Sequence, residues 1–480
     1  MKALTFKGYD EKLKMRKNVL VRFSVIPVLL VTLQSCFVAK KYTRPEVVKS
    51  EYFRTDSLAQ DSTTLADISW REMFTDPVLI SHIEKGLEQN IDIRVALQQI
   101  GIARAYYMQG KSGNLPTLNA SGRVTYQELA GNSQFGEFFQ GAITQYEGTG
   151  TLSWEVDIWG KIRSNKRAFE ASYLQSVAAH QAVKTELIAN IASLYFQLLT
   201  LDEQRRITHQ TIATRESSLE TTKALKDAGT VSEVAVKQTE AQLHTARALL
   251  VNLHRNIKLL ESTLSILLGE EPRSIERSTL DDQNITDRLH VGYPLQLLRN
   301  RPDVIAAEYG LINAFELTNV AKSNFYPSLT LSATGGIQSL ELDKLFSVNS
   351  LFATVVGGIT QPILNGRRIR TQYEVSLSQK EQAYLRFRQS LLNASREVSD
   401  AMYSYQAATE TIEIKGQEFA AYDTATTYSE ELLNSGLANY LEVLTARQNA
   451  LNSQLDLINA RFDRLTATVD LYRALGGGWR

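Results

Sequence analysis

The stretch SWEVDIWGK, residues 153–161, joins two sequence patterns at Gly160. Before this glycine, apolar and polar residues alternate over 145–158, which is the period-two pattern of a β-strand with two different faces. After it, residues 161–228 contain neither proline nor glycine and are rich in Ala, Gln, Leu, Glu and Arg, which favour helix. The pattern predicts a strand that ends just before Gly160, followed by a helix of about 100 Å.

A matching alternating segment lies at 117–127, and a loop at 128–143 containing Gly, Asn and Ser separates it from the first. Each segment is apolar on one face and polar on the other over about ten residues, as are strands that lie between lipid and a water-filled lumen. A half-buried hairpin in a soluble protein would show the same alternation. The pattern alone therefore predicts a β-hairpin and leaves its environment open.

Helical patterns flank this hairpin on both sides. From Pro77 to the glycines at 110–113, apolar residues recur every three to four positions, which predicts one continuous helix. Asp76 is a suitable N-cap for a helix with proline at its first position. After the long helix, Gly229 predicts a turn into a second helix at 232–268.

The order helix, hairpin, long helix, turn and helix returns in the second half of the chain. We therefore predict an internal duplication, with repeats at 76–295 and 296–480 and hairpins at 117–158 and 328–364. Three landmarks recur in order at nearly one offset: Pro116 and Pro327, Gly160 and Gly366, and Gly229 and Gly436. The predicted elements of the second copy are a helix at 302–324, strands at 328–338 and 350–363, and helices at 367–434 and 439–475.

Two hairpins give four strands per chain. An open sheet of four strands would leave unsatisfied edge N–H and C=O groups in lipid, and closed bacterial membrane barrels begin at about eight strands. We therefore expect several copies to share one barrel. Three copies would supply twelve strands and two would supply eight.

The N-terminus has the features of an export signal. Residues 1–35 are rich in Lys and Arg before an apolar run at 19–33, which is too short to span a bilayer. The run ends in LQSC at 33–36, which resembles a bacterial lipobox, and Cys36 is the only cysteine in the chain. We predict a lipoprotein signal peptide, acylation of Cys36 and an extended, lipid-anchored tether at 36–75. An ordinary signal peptide with an incidental cysteine is the alternative.

Composition argues against several other classes of protein. The 52 basic and 52 acidic residues give no positive footprint for nucleic acid. The six histidines form no metal-ligand motif, and no glycine-rich phosphate loop occurs, so we expect no cofactor and no enzyme activity. The sequence Arg301-Pro302-Asp303 is better explained as a helix start than as a catalytic ion pair.

Several motifs occur in one order along the chain. They are Tyr42-Thr43-Arg44-Pro45, the set Trp70, Phe74, Asp76, Pro77 and Leu79, and residues 153–161, 297–308 and 471–479. Together they resemble the motifs of the TolC/NodT-type outer-membrane factors, in their RND-type efflux lipoprotein branch.

The resemblance implies a mostly α-helical protein with membrane β-structure. In this fold a trimeric 12-stranded β-barrel is continued by a 12-helix α-barrel, with four strands and two internal repeats per chain. It also implies a passive outer-membrane channel that works as a homotrimer with a periplasmic adaptor and an inner-membrane pump of the RND type. A lipid-anchored structural coiled-coil lipoprotein of the periplasm is the alternative.

The resemblance further assigns roles to the two helix turns. The expected adaptor-docking tips are Gly229, Thr230, Ser232, Gly436, Leu437 and Tyr440. The expected residues of the closed periplasmic gate are Leu441, Glu442, Thr445 and Arg447. The family often has L-D-A-Q near this gate, whereas here the sequence is Leu-Thr-Ala-Arg at 444–447. We therefore expect a different charge pattern, with Glu442 as a candidate partner of Arg447.

Overall fold

The computed structural model describes residues 39–46, 64–132, 142–283 and 296–479. The predicted signal peptide and Cys36 lie outside these ranges. The chain divides into two compact units. The sheet unit comprises Met1–Arg44, Ala103–Tyr173 and Tyr309–Tyr384, and the helical unit comprises Pro45–Ile102, Leu174–Glu308 and Leu385–Arg480.

Helices dominate the described part of the chain, and the four strands all lie in the sheet unit. The helices are α1 (Trp70–Met73), α2 (Pro77–Gln89), α3 (Ile91–Ser112), α4 (Lys161–Asp227), α5 (Glu233–Leu267), α6 (Leu297–Asn300), α7 (Pro302–Ser323), α8 (Arg368–Asn434) and α9 (Tyr440–Ala474). The strands are β1 (Thr117–Glu128), β2 (Ala142–Val156), β3 (Ser328–Ser339) and β4 (Leu351–Thr360).

The long helices and the strands confirm the sequence-based elements to within a few residues. The helices α4 and α8 have 67 residues each, and α5 and α9 have 35 each. Equal lengths in the two halves are what a duplication would leave, and the duplication itself stays a prediction. No helix within the described ranges is long and apolar enough to cross a membrane.

The four strands form one antiparallel sheet in the order β1-β2-β3-β4. Its register places apolar residues opposite apolar ones, such as Leu118 opposite Leu152, and polar residues opposite polar ones, such as Arg123 opposite Glu147. Because side chains alternate between faces, one face of the sheet is apolar and the other is mostly polar, with Val356 and Phe352 of β4 among the exceptions. Every residue of β1 is exposed, so the described residues cover neither face of that strand.

The single helix expected between Pro77 and the glycines at 110–113 is wrong, because the chain breaks it at Asn90. The Asn90 side chain accepts hydrogen bonds from the backbone N–H groups of Asp92 (2.9 Å) and Ile93 (3.1 Å) and thereby caps α3. Its amide also donates to the Leu267 carbonyl at 2.9 Å. Asparagine is favoured at the N-cap of a helix and disfavoured in a helix interior.

The extended tether expected over 36–75 ends earlier than predicted. Leu65, Trp70, Met73 and Phe74 are each at most 3% exposed, so this segment is part of the core of the helical unit. Their burial removes large apolar side chains from water and offsets the entropy of ordering the segment.

Arg301 confirms the helix-start interpretation of its motif. Pro302 is the first residue of α7, and Arg301 donates to both carboxylate oxygens of Asp303, at 3.0 and 2.7 Å. The same guanidinium bonds Glu397 at 2.7 Å and the Ala474 carbonyl at 3.0 Å. It therefore connects the start of α7 to α8 and to the end of α9 inside the helical unit.

Candidate functional site: the helix turns and the arginine network

The first helix turn connects α4 to α5 in the helical unit. Gly229 has a φ of +75°, and the N–H of Thr230 donates to the Leu225 carbonyl at 2.9 Å. This left-handed closure satisfies the last carbonyl groups of α4, and glycine adopts it without steric strain. Ser232 then precedes α5, and Lys226 forms an ion pair with Glu233 across the turn at 3.1 Å.

The second helix turn connects α8 to α9 with the same geometry. Gly436 has a φ of +73°, and the N–H of Leu437 donates to the Leu432 carbonyl at 2.9 Å. Leu437 is 77% exposed, whereas Tyr440 is buried and its hydroxyl accepts a hydrogen bond from Thr239 of α5 at 3.1 Å. Both predicted tips are thus exposed turns closed by a glycine with a left-handed backbone, and Tyr440 lies beneath the surface.

The predicted gate residues lie in the first two turns of α9. Leu441 is 55% exposed, and the Thr445 hydroxyl donates to the Leu441 carbonyl at 2.9 Å. Glu442 belongs to the helix cap, because its N–H donates to the Asn439 side chain and its carboxylate accepts from the Asn439 amide, each at 3.1 Å.

The expected pairing of Glu442 with Arg447 is wrong for this chain. Arg447 instead donates to Glu430 of α8 at 2.7 Å and to the hydroxyl of Ser218 in α4. Residues five apart on a helix lie on different faces, whereas three or four apart would bring them together. The spacing of the two residues was the signal against that pair.

A second arginine completes a network around Arg447. Arg215 of α4 is buried, donates to Gln448 of α9 at 2.8 Å and also donates to the Gln242 carbonyl of α5. Burial lowers the pKa of the Arg215 guanidinium, and the neighbouring charge of Arg447 lowers it further. Two cations with one carboxylate partner between them make this network sensitive to the loss of any one bond.

The arginine network, defined as Arg215, Ser218, Glu430, Arg447 and Gln448, joins three of the four long helices by side chains alone. The bond from Arg215 to the Gln242 carbonyl adds the fourth long helix, α5. Sequence reasoning identified only Arg447 among these residues. The others lie in helical sequence with no local motif, so no sequence signal distinguished them from solvated polar positions.

The first described residues are held against α7 in the sheet unit. The backbone N–H of Lys40 donates to the Asn319 side chain at 3.3 Å, and the Asn319 amide returns a bond to the Lys40 carbonyl at 3.0 Å. Tyr42 packs edge-on against Phe315, with ring centroids 5.7 Å apart.

Comparison with known proteins adds independent evidence. The sequence profile of the outer membrane efflux protein family matches residues 82–270 and 294–477. The toluene efflux pump outer membrane protein TtgF of Pseudomonas putida is 29% identical, over 94% of this chain and 96% of its own length. The probable outer membrane lipoprotein SilC of Salmonella typhimurium is 27% identical, over 92% and 95% of the two chains.

A solved structure shows the same architecture. The open state of the Neisseria gonorrhoeae MtrE outer membrane channel has a TM-score of 0.82 and 25% identity, and the match covers 92% of this chain and 98% of MtrE. The family profile describes a class of transport proteins and not a class of enzymes. The profile match across both halves, together with the shared fold, shows that the chain belongs to the outer membrane efflux protein family and functions in efflux at the outer membrane.

Proposed function

We propose that three copies of this chain form the outer-membrane channel of a tripartite efflux system. Small molecules would pass through it passively, from the periplasm to the exterior. The observation that carries the proposal is the open four-stranded sheet, which has one apolar and one polar face. The channel catalyses no reaction itself and takes its energy from an inner-membrane pump of the RND type.

The open sheet of one chain needs strands from other copies to close it. Its outer strands, β1 and β4, each pair on one side only among the described strands. Unpaired edges are unfavourable in lipid, and a barrel removes them by closure. Three chains give twelve strands, with the apolar faces toward lipid and the polar faces toward a water-filled lumen.

The helix turns are the proposed contact surface for the periplasmic adaptor. Gly229, Thr230, Ser232, Gly436 and Leu437 are all exposed, and the two glycines adopt the left-handed backbone that closes each turn. Tyr440 supports the second turn from inside through its bond to Thr239. A pre-formed surface of this kind binds a partner with little ordering cost.

The start of α9 is the proposed periplasmic gate. Leu441, Glu442 and Thr445 are exposed on its first two turns, where they can meet the same residues of other copies. Arg447 lies two residues after Thr445 and acts through the arginine network that ties α9 to α4 and α8. In this proposal, the network holds the closed arrangement and its release lets the second helix pair move.

The N-terminal assignments remain part of the proposal. Residues 1–35 are a lipoprotein signal peptide and Cys36 carries the acyl chains, as in the sequence-based expectation. A lipoprotein among the relatives, SilC, is compatible with this assignment. The repeats at 76–295 and 296–480 are the two halves that supply one hairpin and one helix pair each.

Reconstitution of the purified, acylated protein tests the proposal. We expect a trimer that resists dissociation in unheated gel samples and that conducts ions in planar bilayers. A stable monomer without conductance would support the alternative of a structural coiled-coil lipoprotein and would refute the channel. A conducting dimer would refute the twelve-stranded barrel while leaving the channel intact.

A further inference from the structure

Basic residues cluster at one end of the sheet. Lys161 and Arg163 follow β2 in the chain, and Arg367, Arg368 and Arg370 follow β4. The sheet register aligns the ends of these two strands, because Val156 pairs with Leu329 and Leu329 pairs with Ile359. We call these five basic residues the basic collar.

We propose that the basic collar binds the anionic headgroups of phospholipids in the membrane leaflet that faces the periplasm. The inference rests on the proposed function, because it requires the sheet to lie in the outer membrane. It goes further by naming a lipid partner and the residues that recognise it.

Lys161 and Arg163 are neutralised by Glu155 at 2.9 Å and Asp157 at 3.1 Å, and the unbalanced positive charge of the collar lies in its three arginines at the start of α8. Arg367 and Arg370 are 65% and 69% exposed and share one carboxylate, that of Glu374, with a distance of 3.1 Å to each. Among the described residues, no carboxylate pairs with Arg368. Cations in the first turn of a helix oppose the helix dipole, so the stability of α8 does not explain these arginines. Three guanidinium groups with a single carboxylate partner, which reaches only two of them, are suited to an external anion.

The residues next to the collar are those of a membrane interface. Ile363 and Leu364, just before the arginines, are 90% and 95% exposed. Trp159 stacks on Tyr326 with ring centroids 5.0 Å apart. Apolar side chains followed by Trp, Tyr and basic residues mark the level where acyl chains end and headgroups begin.

A cavity in the sheet unit is lined both by residues of the basic collar and by the Trp159–Tyr326 pair. It has a volume of about 290 Å³ and is lined by Trp159, Tyr326, Lys161, Arg368 and Gln372, among others. Its lining combines aromatic rings, cationic groups and an amide donor with the carboxylates of Glu155 and Asp157. Guanidinium and ammonium groups recognise phosphate oxygens, and Trp and Tyr rings, which have an apolar body and a polar edge, suit the boundary between headgroups and acyl chains.

Lipid retention by the full-length, acylated protein tests the proposal. The protein is reconstituted in vesicles of equal parts phosphatidylglycerol and phosphatidylethanolamine, and native mass spectrometry measures which lipid it retains. We expect enrichment of phosphatidylglycerol. In the variant R367Q/R368Q/R370Q, the enrichment of phosphatidylglycerol should fall at least about fivefold, because one basic residue near an anionic surface contributes about that factor.

A matched control has the same loss of charge elsewhere on α8. The variant R386Q/R388Q/R396Q removes three exposed arginines from that helix and should keep the enrichment. Equal loss in both variants, or unchanged enrichment in R367Q/R368Q/R370Q, would overturn the proposal. The variant R367K/R368K/R370K keeps the charge and should keep most of the enrichment, and it decides the matter where the glutamine variant fails to assemble.

Conductance of the same samples separates this inference from the proposed function. A wild-type protein that neither trimerises nor conducts would refute the channel. A conducting trimer with no preference for phosphatidylglycerol would refute the collar alone. A conducting glutamine variant with lost enrichment would support both.

Discussion

The guanidinium Nε of Arg447 lies 2.7 Å from a carboxylate oxygen of Glu430, which joins α9 to α8 by an ion pair. The same guanidinium donates to Ser218 of α4. One side chain therefore connects the second helix pair with the first. A contact of this kind can hold two packed helix pairs in one of two arrangements, because packed helices shift in discrete steps.

Loss of this contact should favour the open channel. In Arg447→Gln, the ion pair is absent and Ser218 loses its charged donor. Hydrogen bonds to charged groups contribute about 1.5–3 kcal/mol, so we expect the open probability in planar bilayers to rise about tenfold. Single-channel recording of the reconstituted trimer measures this directly.

The control for Arg447→Gln is Arg461→Gln on the same helix. Arg461 pairs with Asp281 at 3.0 Å, and both side chains are substantially exposed. Exposed pairs contribute little, so this variant should conduct as the wild type does. An unchanged open probability in Arg447→Gln would exclude the arginine network as a gate.

Sequence patterns predicted the elements that depend on local chemistry. The alternation around Leu118 and Leu152 gave both strands and the faces that the register then brought together. Gly229 and Gly436 marked the turns, because a left-handed backbone at a helix end favours glycine. The break at Asn90 was missed, since apolar spacing continues through it and the bond to Leu267 that fixes it comes from a distant segment.

The arginine network could not be predicted in the same way. Arg215 and Gln448 are 233 positions apart in the chain and meet only because α4 packs against α9. Helical periodicity shows which face of a helix is buried, but it does not show which polar residue on a neighbouring helix will face it. Glu430 therefore looked like any solvated acid on a long helix.

The second helix turn should lose stability when its glycine is replaced. Gly436→Ala puts a side chain at a φ of +73°, which costs about 1–2 kcal/mol, although no atom stands within 4 Å of the new Cβ. The Leu437 amide, which bonds the Leu432 carbonyl, should then exchange with deuterium about tenfold faster. Hydrogen-exchange mass spectrometry of the tip peptide measures the rate.

Gly416→Ala is the matched control on the same helix. Gly416 lies within α8 with an ordinary helical backbone, and a Cβ there also meets nothing within 4 Å. Alanine in a helix interior is more favourable than glycine by up to about 1 kcal/mol. The backbone amides around residue 416 should therefore exchange slightly more slowly in this variant. Faster exchange in both variants would show that the turn has no special requirement for Gly436.

Cys36 should be the first residue of the mature chain and should carry acyl groups. We expect intact-mass measurement of the purified protein to give the mass of residues 36–480 plus several acyl chains. The variant Cys36→Ser should carry no acyl chains. It should bind membranes less tightly, because the lipid anchor is lost and only the proposed β-barrel remains to hold it. A wild-type chain with an unmodified thiol at Cys36 would refute the lipoprotein assignment.

Acid should weaken the core of the helical unit through Asp76. Asp76 is 7% exposed, and its carboxylate accepts bonds from Tyr195 at 2.6 Å, Gln283 at 2.9 Å and the Val78 N–H at 2.8 Å, and from Ser278. Burial alone would raise the pKa of Asp76, but these bonds outweigh it and hold the pKa below the ordinary value of 3.8.

The sign of the pH effect follows from this lowered pKa. The charged Asp76 stabilises the fold fully above pH 3.8, and the contribution is lost as the pH falls through the lower pKa of the folded state. Asp76→Asn should therefore reduce the free energy of unfolding at pH 7 by about 1–2 kcal/mol. The deficit should shrink below pH 3.8, which thermal unfolding followed by circular dichroism at several pH values will measure.

Asp456→Asn provides the comparison for Asp76→Asn. Asp456 is 54% exposed and pairs with Lys415 at 3.1 Å, so its loss should change stability by less than about 1 kcal/mol. A deficit in Asp76→Asn that stays constant from pH 7 down to pH 3 would contradict a role for the charge. In that case the loss of hydrogen bonds, and not the loss of charge, would explain the lower stability of Asp76→Asn. Asparagine keeps one acceptor oxygen but lacks the second oxygen of the carboxylate.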